Sequence, residues 1–279
     1  MTALAGPALA LLSSVLWGSA DFGGGLLSRR LHPAAVVGAS QAVGLLAVLL
    51  VAVVSGAVTG PLGWLPWAVA AGLAGTVGLV SFYAALASGT MGVVSPIAAL
   101  GAVVPVLIGL LSGERPSALQ VAGIAVALVG AVAASGPELR GAAGARPVLL
   151  AAVAGVGFGL ALVFIGGGSQ TSAIMTLAGM RGVSVSLFLL AALALRTTGG
   201  VRPRDALPLA LVGLGDAGAN LAFGVASTLG LLSVTAVLGS LYPVVTVLLA
   251  RGVLHERLRR VQQVGVAAAL GGVVLIAAG

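Results

Sequence analysis

The sequence predicts an all-α polytopic membrane protein, with ten transmembrane helices arranged as two inverted five-helix repeats. First, 59% of its 279 residues are hydrophobic and only 7% are charged, whereas soluble domains carry about 25% charged residues. Second, the chain divides into ten apolar segments close to the roughly 20 residues that a helix needs to cross a bilayer. Third, the second half repeats residue types of the first at a nearly constant spacing.

The composition excludes several classes of function. A chain with mean hydropathy +1.21 has too few charges to cover a water-facing surface. Its net charge is +7, but all 13 basic residues are Arg and most lie between apolar segments. They indicate membrane topology, and no nucleic-acid partner is expected. With no Cys and two His, the sequence predicts no disulfide, metal site or cofactor. The N-terminus lacks a basic region, so no cleavable signal peptide is expected.

The breaks between apolar segments contain Pro, Gly and Arg, and one of them is predicted at residues 166–170. Residues 1–136 form the predicted first repeat, 137–146 a linker loop and 147–279 the second repeat. The predicted span cores are 4–24, 33–54, 65–87, 92–112, 117–136, 148–167, 171–195, 206–228, 232–254 and 260–278.

The internal repeat is visible in uncommon residue types as well as in Gly and Ala. A spacing of 141 residues, and of 142 near the end of each repeat, pairs Trp17-Gly18 with Phe158-Gly159, Gly72 with Gly213, Phe82 with Phe223, Glu114-Arg115 with Glu256-Arg257 and Gln120 with Gln262. Because each repeat has five spans, an odd number, the second repeat enters the membrane from the opposite side. Inverted repeats of this kind are typical of secondary transporters, whose substrate site lies near the midplane between the repeats.

Longer segments resemble a known family. They are LLSSVLWGSADF in span 1, FYAALASGTMGVVSP across spans 3 and 4, and LYPVVTVLLARGVLHERLRRVQQVGVAAALGGVVL in the second repeat. The chain resembles the drug/metabolite transporter superfamily, and specifically its ten-helix EamA-type proteins. The resemblance implies an exporter or exchanger of a small metabolite, such as an amino acid, with no enzymatic activity. We expect it in the bacterial inner membrane. One departure is that the family often has Arg in the second helix of each repeat. Here Arg181 is present, but the first repeat has Gln41.

Most charged residues cluster at the ends of the predicted spans, and three do not: Asp21, Arg181 and Asp216. A charge at mid-membrane costs roughly 2.5–3.5 kcal/mol on insertion scales, so such residues usually face a cavity or a partner. Arg181 either binds a substrate carboxylate or phosphate, or forms an ion pair with Asp216 or Asp21. Asp216 shares a helix face with Asn220. This pair either binds a substrate ammonium or a coupling proton, or forms an interhelical hydrogen bond.

Asp21 lies one turn beyond Trp17, so both side chains occupy one helix face. They form an aromatic and acidic site for an amine-bearing solute. Alternatively, Trp17 is an interfacial or packing aromatic residue and Asp21 pairs with Arg29 or Arg30 near the headgroups. This second interpretation is favoured, because Asp21 is closer to the span end than Asp216 is.

Other candidates carry weaker signals. Further substrate contacts are predicted at Gln41, Tyr83, Ser95, Phe158 and Tyr242, although each is also explained by packing. Hinges are predicted at Pro96, Pro105 and Pro243, because Pro kinks a helix and frees a backbone carbonyl.

Two conspicuous motifs favour structural roles. The glycines spaced four apart, Gly109 with Gly113 and Gly155 with Gly159, are predicted to pack helices. Glu114 and Glu256 lie at span ends and are predicted to be capping or interfacial salt-bridge residues.

The Arg distribution predicts the orientation. Apart from Arg181 and Arg115, every Arg falls in or beside an odd-numbered loop. The positive-inside rule then places both termini outside the cytoplasm, whereas the family resemblance implies termini inside.

The favoured mechanism is alternating access around a cavity lined by spans 1–4 and 6–9. Spans 5 and 10 are predicted to buttress the bundle or to mediate a homodimer. The expected partners are a small-molecule substrate and the lipid bilayer. The alternatives are a non-transporting scaffold, a channel subunit and, with least support, an intramembrane enzyme.

Overall fold

The computed structural model describes residues 4–88, 94, 97–135, 145–197, 199–255 and 258–279, with backbone alone at 83 and 86–88. These ranges are helical, with short irregular turns. The α-helices are α1 Ala5–Ser28, α2 Pro33–Val54, α3 Leu65–Ser88, α4 Val103–Leu111, α5 Ala118–Ala134, α6 Ala145–Leu195, α7 Ala206–Leu229, α8 Leu232–Gly239, α9 Tyr242–Leu254 and α10 Arg260–Ala278.

Six segments in the described ranges are long and apolar enough to cross a membrane. They are Pro33–Val54, Leu62–Phe82, Ala145–Leu195, Pro203–Leu229, Leu232–Leu254 and Arg260–Ala278. Two shorter apolar helices, Ile97–Leu111 and Ala118–Ala134, accompany them. The polytopic all-helical prediction is therefore confirmed, while the count of ten crossings stays a prediction.

Helix α6 reverses direction at Ser172, where the backbone becomes extended (φ −162°, ψ 109°). We call residues 145–171 α6a and residues 173–195 α6b. The prediction of a break at residues 166–170 was wrong in position. Ser172 caps α6b by accepting a hydrogen bond from Met175 N at 3.2 Å, a role for which Ser is well suited. The glycines of residues 166–168 instead make room for neighbours, since a Cβ at Gly167 would lie 2.7 Å from the Trp67 ring.

Equivalent helix starts in the two repeats use the same cap. The Ser117 backbone N–H donates to Gln120 Oε1 at 2.9 Å, and the Arg259 N–H donates to Gln262 Oε1 at 2.9 Å. The two glutamines paired by the sequence repeat therefore satisfy a backbone donor that a helix start leaves without an intrahelical acceptor.

The helix packing reproduces the repeat in three dimensions. Helix α1 lies antiparallel to α7, while α3 lies antiparallel to α6a and also contacts α6b. The closest approaches recur 141 residues apart. A Cβ at Gly18 would lie 2.6 Å from the Tyr242 carbonyl oxygen and from Val245 Cβ, and one at Gly159 would lie 2.6 Å from Val104 Cβ. Only glycine permits this backbone approach, which supplies van der Waals contact between membrane helices.

Helices α5 and α10 pack on each other along small residues, which supports the predicted buttressing role. A Cβ at Gly123 would lie 2.8 Å from the Gly272 carbonyl oxygen, and one at Gly130 would lie 2.8 Å from the Gly265 carbonyl oxygen. The contact is symmetric, because Gly123 and Gly130 are the counterparts of Gly265 and Gly272.

The two predicted glycine motifs have different outcomes. Gly155 and Gly159 approach α4 and the turn before it, so the packing role predicted for them is confirmed. The same prediction was wrong for Gly113, which has no atom within 4 Å of a built Cβ and adopts φ +95°. Gly113 is needed for a left-handed turn at the end of α4, a conformation that glycine adopts at little cost.

Adjacent glycines in α10 provide a test of the helix contact. We expect Gly272→Leu to destabilise the protein by about 1–3 kcal/mol through overpacking, because a Cβ there would lie 2.6 Å from Ala127 N. Gly271→Leu is the matched control, since a Cβ at Gly271 meets nothing within 4 Å. Thermal unfolding in detergent measures both, and equal melting temperatures would contradict the packing role.

Candidate functional site

An ion pair between α6b and α7 lies at the centre of the bundle. The Arg181 guanidinium donates through Nη2 to Asp216 Oδ2. The Arg181 side chain is 2% exposed and that of Asp216 is 29% exposed. Asn220 Nδ2, one turn beyond Asp216, donates to the Asp216 carbonyl oxygen at 2.7 Å and to its Oδ1 at 3.2 Å. The predicted ion pair and the predicted Asp216–Asn220 face are thus both present.

A second polar contact lies one turn along α6b. Ser184 Oγ donates to Gln41 Oε1 on α2, which places Gln41 beside the Arg181 turn. Within the described residues, Arg181 Nε is buried and has no hydrogen-bond acceptor. A buried donor without an acceptor is costly, so one N–H of the guanidinium lacks the hydrogen bond that would offset its burial.

Asp21 is exposed and lies on α1 between two neighbouring helices. A Cβ at Gly215, next to Asp216, would lie 3.6 Å from Ala20 Cβ, and Gly18, one turn before Asp21, approaches the Tyr242 carbonyl oxygen. The slightly favoured interpretation, in which Asp21 pairs with Arg29 or Arg30, was wrong. Arg30 Nη2 lies instead 3.2 Å from Oδ1 of Asp205. That carboxylate is buried in the turn before α7 and also accepts from the Arg202 N–H, so the loop arginine already has an acceptor. Asp21 has no ion pair or hydrogen bond with any other described residue.

The aromatic candidates form two separate pairs that are related by the repeat. The rings of Trp17 and Phe223 have centroids 5.8 Å apart, and those of Phe158 and Phe82 have centroids 6.0 Å apart. Trp17 is half-buried beside the charged groups. Phe158 packs on α3, away from them, so the structure does not bring it into the charged cluster.

The predicted hinge prolines follow irregular turns in both repeats. Pro105 lies in the first turn of α4, directly after the 3₁₀ turn Leu100–Ala102. Pro243 lies in the first turn of α9, after the chain leaves helical geometry at Ser240 and Leu241. Ser95 and Pro96 lie outside the described residues, as does the side chain of Tyr83, and these predictions remain untested.

Glu114 joins the two repeats at the other end of the bundle. Its carboxylate accepts from the Leu232 N–H at 2.5 Å and from the Ser233 N–H at 3.0 Å. It thereby caps the start of α8, where a negative charge is favourable. The predicted capping role is confirmed for Glu114, while Glu256 lies outside the described residues.

Two contributors were missing from the predicted site. Phe223 supports the Trp17 ring, and Ser184 orients Gln41. The repeat contained a signal for Phe223, because the pairing of Phe82 with Phe223 parallels that of Phe158 with Trp17. No pattern along the chain marks Ser184.

Comparisons with known proteins identify the family. The EamA-like transporter family matches residues 4–136 and again residues 145–278. The chain belongs to this family. An EamA-type chain is an integral multi-pass membrane protein with an inverted-repeat layout, and its family consists of transporters. A solved crystal structure of a protein covers 97% of this chain and 95% of its own, with TM-score 0.79 and 20% identity. That likeness shows the shared fold alone. A comparison with curated proteins finds no match.

A double-mutant cycle, measured on the stability of the protein, tests the ion pair. We expect Asp216→Ala to cost about 3–5 kcal/mol, because it leaves the buried Arg181 charge uncompensated. Arg181→Met should cost less, since Asp216 is partly exposed and keeps Asn220. The double variant should be more stable than Asp216→Ala alone. Melting temperatures in detergent measure all three, and simple additivity of the two losses would contradict direct coupling.

Proposed function

We propose that the protein is a secondary transporter that exports or exchanges a small polar metabolite across the bacterial inner membrane, by alternating access between two five-span inverted repeats. The observation that carries this proposal is the set of three charged groups held between the repeats. Asp21 comes from the first repeat, while Arg181 and Asp216 come from the second. Charges this far from the helix ends are expensive in a bilayer and usually mark a transport path.

The division of these groups between repeats connects motion with binding. When one repeat rocks against the other, the separation between Asp21 and the Arg181–Asp216 pair changes. Arg181 is then able to exchange one carboxylate for the other, or for a substrate oxygen. Asp216 is also the candidate carrier of a coupling proton, because its carboxylate is partly exposed inside the bundle.

The interrupted helices support the same mechanism. The break at Ser240 and Leu241 and the 3₁₀ turn Leu100–Ala102 lie at corresponding points of the two repeats. Discontinuous helices near the midplane are a recurrent feature of transporters, where they bind ligands or bend. Pro105 and Pro243 are positioned to direct bending to these points.

Proteoliposome flux with a panel of amino acids and other metabolites tests the proposal. We expect saturable uptake with counterflow, and we expect its loss in the double variant Arg181→Ala, Asp216→Asn. The Gly271→Leu variant is the control for handling and reconstitution. Unchanged flux in the double variant would disprove this site. Flux without saturation or counterflow would favour a channel, and the absence of any flux would favour a scaffold.

Reporter fusions test the orientation. The Arg distribution leads us to expect both termini outside the cytoplasm. A C-terminal reporter that is active only outside the cytoplasm should therefore be active, and a cytoplasm-dependent fluorescent reporter should be dark. The opposite pair of results would show that the termini lie in the cytoplasm and that the distribution of Arg among the loops does not set the orientation of this protein.

A further inference from the structure

The charges of the central site do not balance. Among the described residues, Asp21, Arg181 and Asp216 are the charged groups placed well inside the helices. Asp21 lies on α1 where that helix packs on α7 beside Asp216, since a Cβ at Gly215 would lie 3.6 Å from Ala20 Cβ. Arg181 is bonded to Asp216, and Asp21 has no counter-ion within the described ranges. Arg251 is exposed in the last turn of α9 and forms no salt bridge with Asp21. Asp21 is therefore a carboxyl group without a counter-ion, close to a carboxylate that is already paired.

The site also has an unused donor. Arg181 is 2% exposed, and its Nε–H has no acceptor in the part of the chain that the structure describes. Because Asp216 already neutralises the guanidinium charge, the suitable partner for the Nε–H is an uncharged hydrogen-bond acceptor and not a second anion. A carbonyl, ether or hydroxyl oxygen meets this need.

The charged groups occupy one side of the pseudo-symmetric bundle. The repeat counterparts of Asp21, Arg181 and Asp216 are Leu162, Ser40 and Gly75. Leu162 packs in one apolar cluster with Trp17 and Met180, each of them partly exposed. An apolar wall therefore adjoins the acidic end of the site.

We propose that the solute carried by this protein has one net positive charge, with an ammonium group at Asp21, a neutral oxygen acceptor at Arg181 Nε and an apolar body on the cluster of Trp17, Leu162 and Met180. The inference rests on the proposed transport function. A solute of this kind neutralises the site, whereas a zwitterion leaves the site's net charge unchanged in a low-dielectric environment. An anion would add a second uncompensated negative charge.

Three solutes with one carbon skeleton separate the possibilities. Phenylalaninol carries a single ammonium and a hydroxyl, phenylalanine is a zwitterion, and 3-phenylpropanoate is an anion. Ligand-induced thermal stabilisation of the purified full chain in detergent reports their affinities, because binding to the folded state raises apparent stability. We expect phenylalaninol to bind about tenfold or more tightly than phenylalanine, and 3-phenylpropanoate to bind most weakly.

Two substitutions at one position test the role of Asp21. Asp21→Asn should weaken phenylalaninol binding by about 10- to 100-fold, the range for a hydrogen bond to a charged group. Asp21→Asn should also reduce the difference in affinity between phenylalaninol and phenylalanine, because the variant site is neutral. Asp21→Glu retains the charge and should recover most of the preference. The melting temperature of Asp21→Asn without ligand should not fall, since an unpaired carboxylate is removed, and this separates lost binding from lost folding.

Several outcomes would overturn the inference. They are tighter binding of phenylalanine or 3-phenylpropanoate than of phenylalaninol, equal affinity of Asp21→Asn for phenylalaninol, or binding of none of the three. The proposed function is judged separately by flux with the unbiased metabolite panel. Saturable flux that is lost in the Arg181→Ala, Asp216→Asn variant, but that is indifferent to Asp21 and to solute charge, would uphold transport while rejecting this substrate class.

Discussion

The structure depends on how closely its helices approach one another. Inside a bilayer, apolar burial does not drive helices together, because the lipid tails are as apolar as the side chains. Association then relies on contact between small residues, as at Gly18 against α9 and Gly159 against the turn before α4. The same close contacts at glycine recur in both repeats, so equivalent contacts set the positions of the helices in each repeat. The site inherits its geometry from them.

The site chemistry departs from that symmetry. The close approaches of Gly18, Gly123 and Gly130 recur at Gly159, Gly265 and Gly272 of the other repeat, whereas the counterparts of the three charged residues are uncharged. A symmetric scaffold provides two similar ways to close the bundle, which alternating access requires. Charges on one side of the scaffold give a bound solute a defined orientation. In the proposed mechanism, the duplicated scaffold provides the motion and the charged residues without counterparts provide the recognition.

Some contacts between the repeats are polar, both at the helix ends and in the centre, where Ser184 donates to Gln41. Glu114 caps α8 across the repeat boundary, and Arg30 of the first repeat pairs with Asp205 of the second. Such bonds are directional, so they have discrete alternatives when the repeats rotate. Continuous apolar packing has no such alternatives. A second carboxyl group, Asp21 of the opposite repeat, lies on α1 where that helix packs on α7 beside Asp216.

The sequence by itself determined the helical class, most helix positions, the repeat and the presence of charges inside spans. It also predicted the face shared by Asp216 and Asn220 and the role of Glu114, because these follow from spacing along one helix and from position at a helix end. Only the tertiary structure decided that Arg181 forms an ion pair with Asp216. It also decided that Arg30 pairs with Asp205, so that Asp21 is left without an ion pair. The position of the reversal in α6, at Ser172, likewise came from the structure. Periodicity reports which residues share a face of one helix. Ion pairs and close approaches join residues far apart in the chain, so their choice depends on the distances that helix packing imposes.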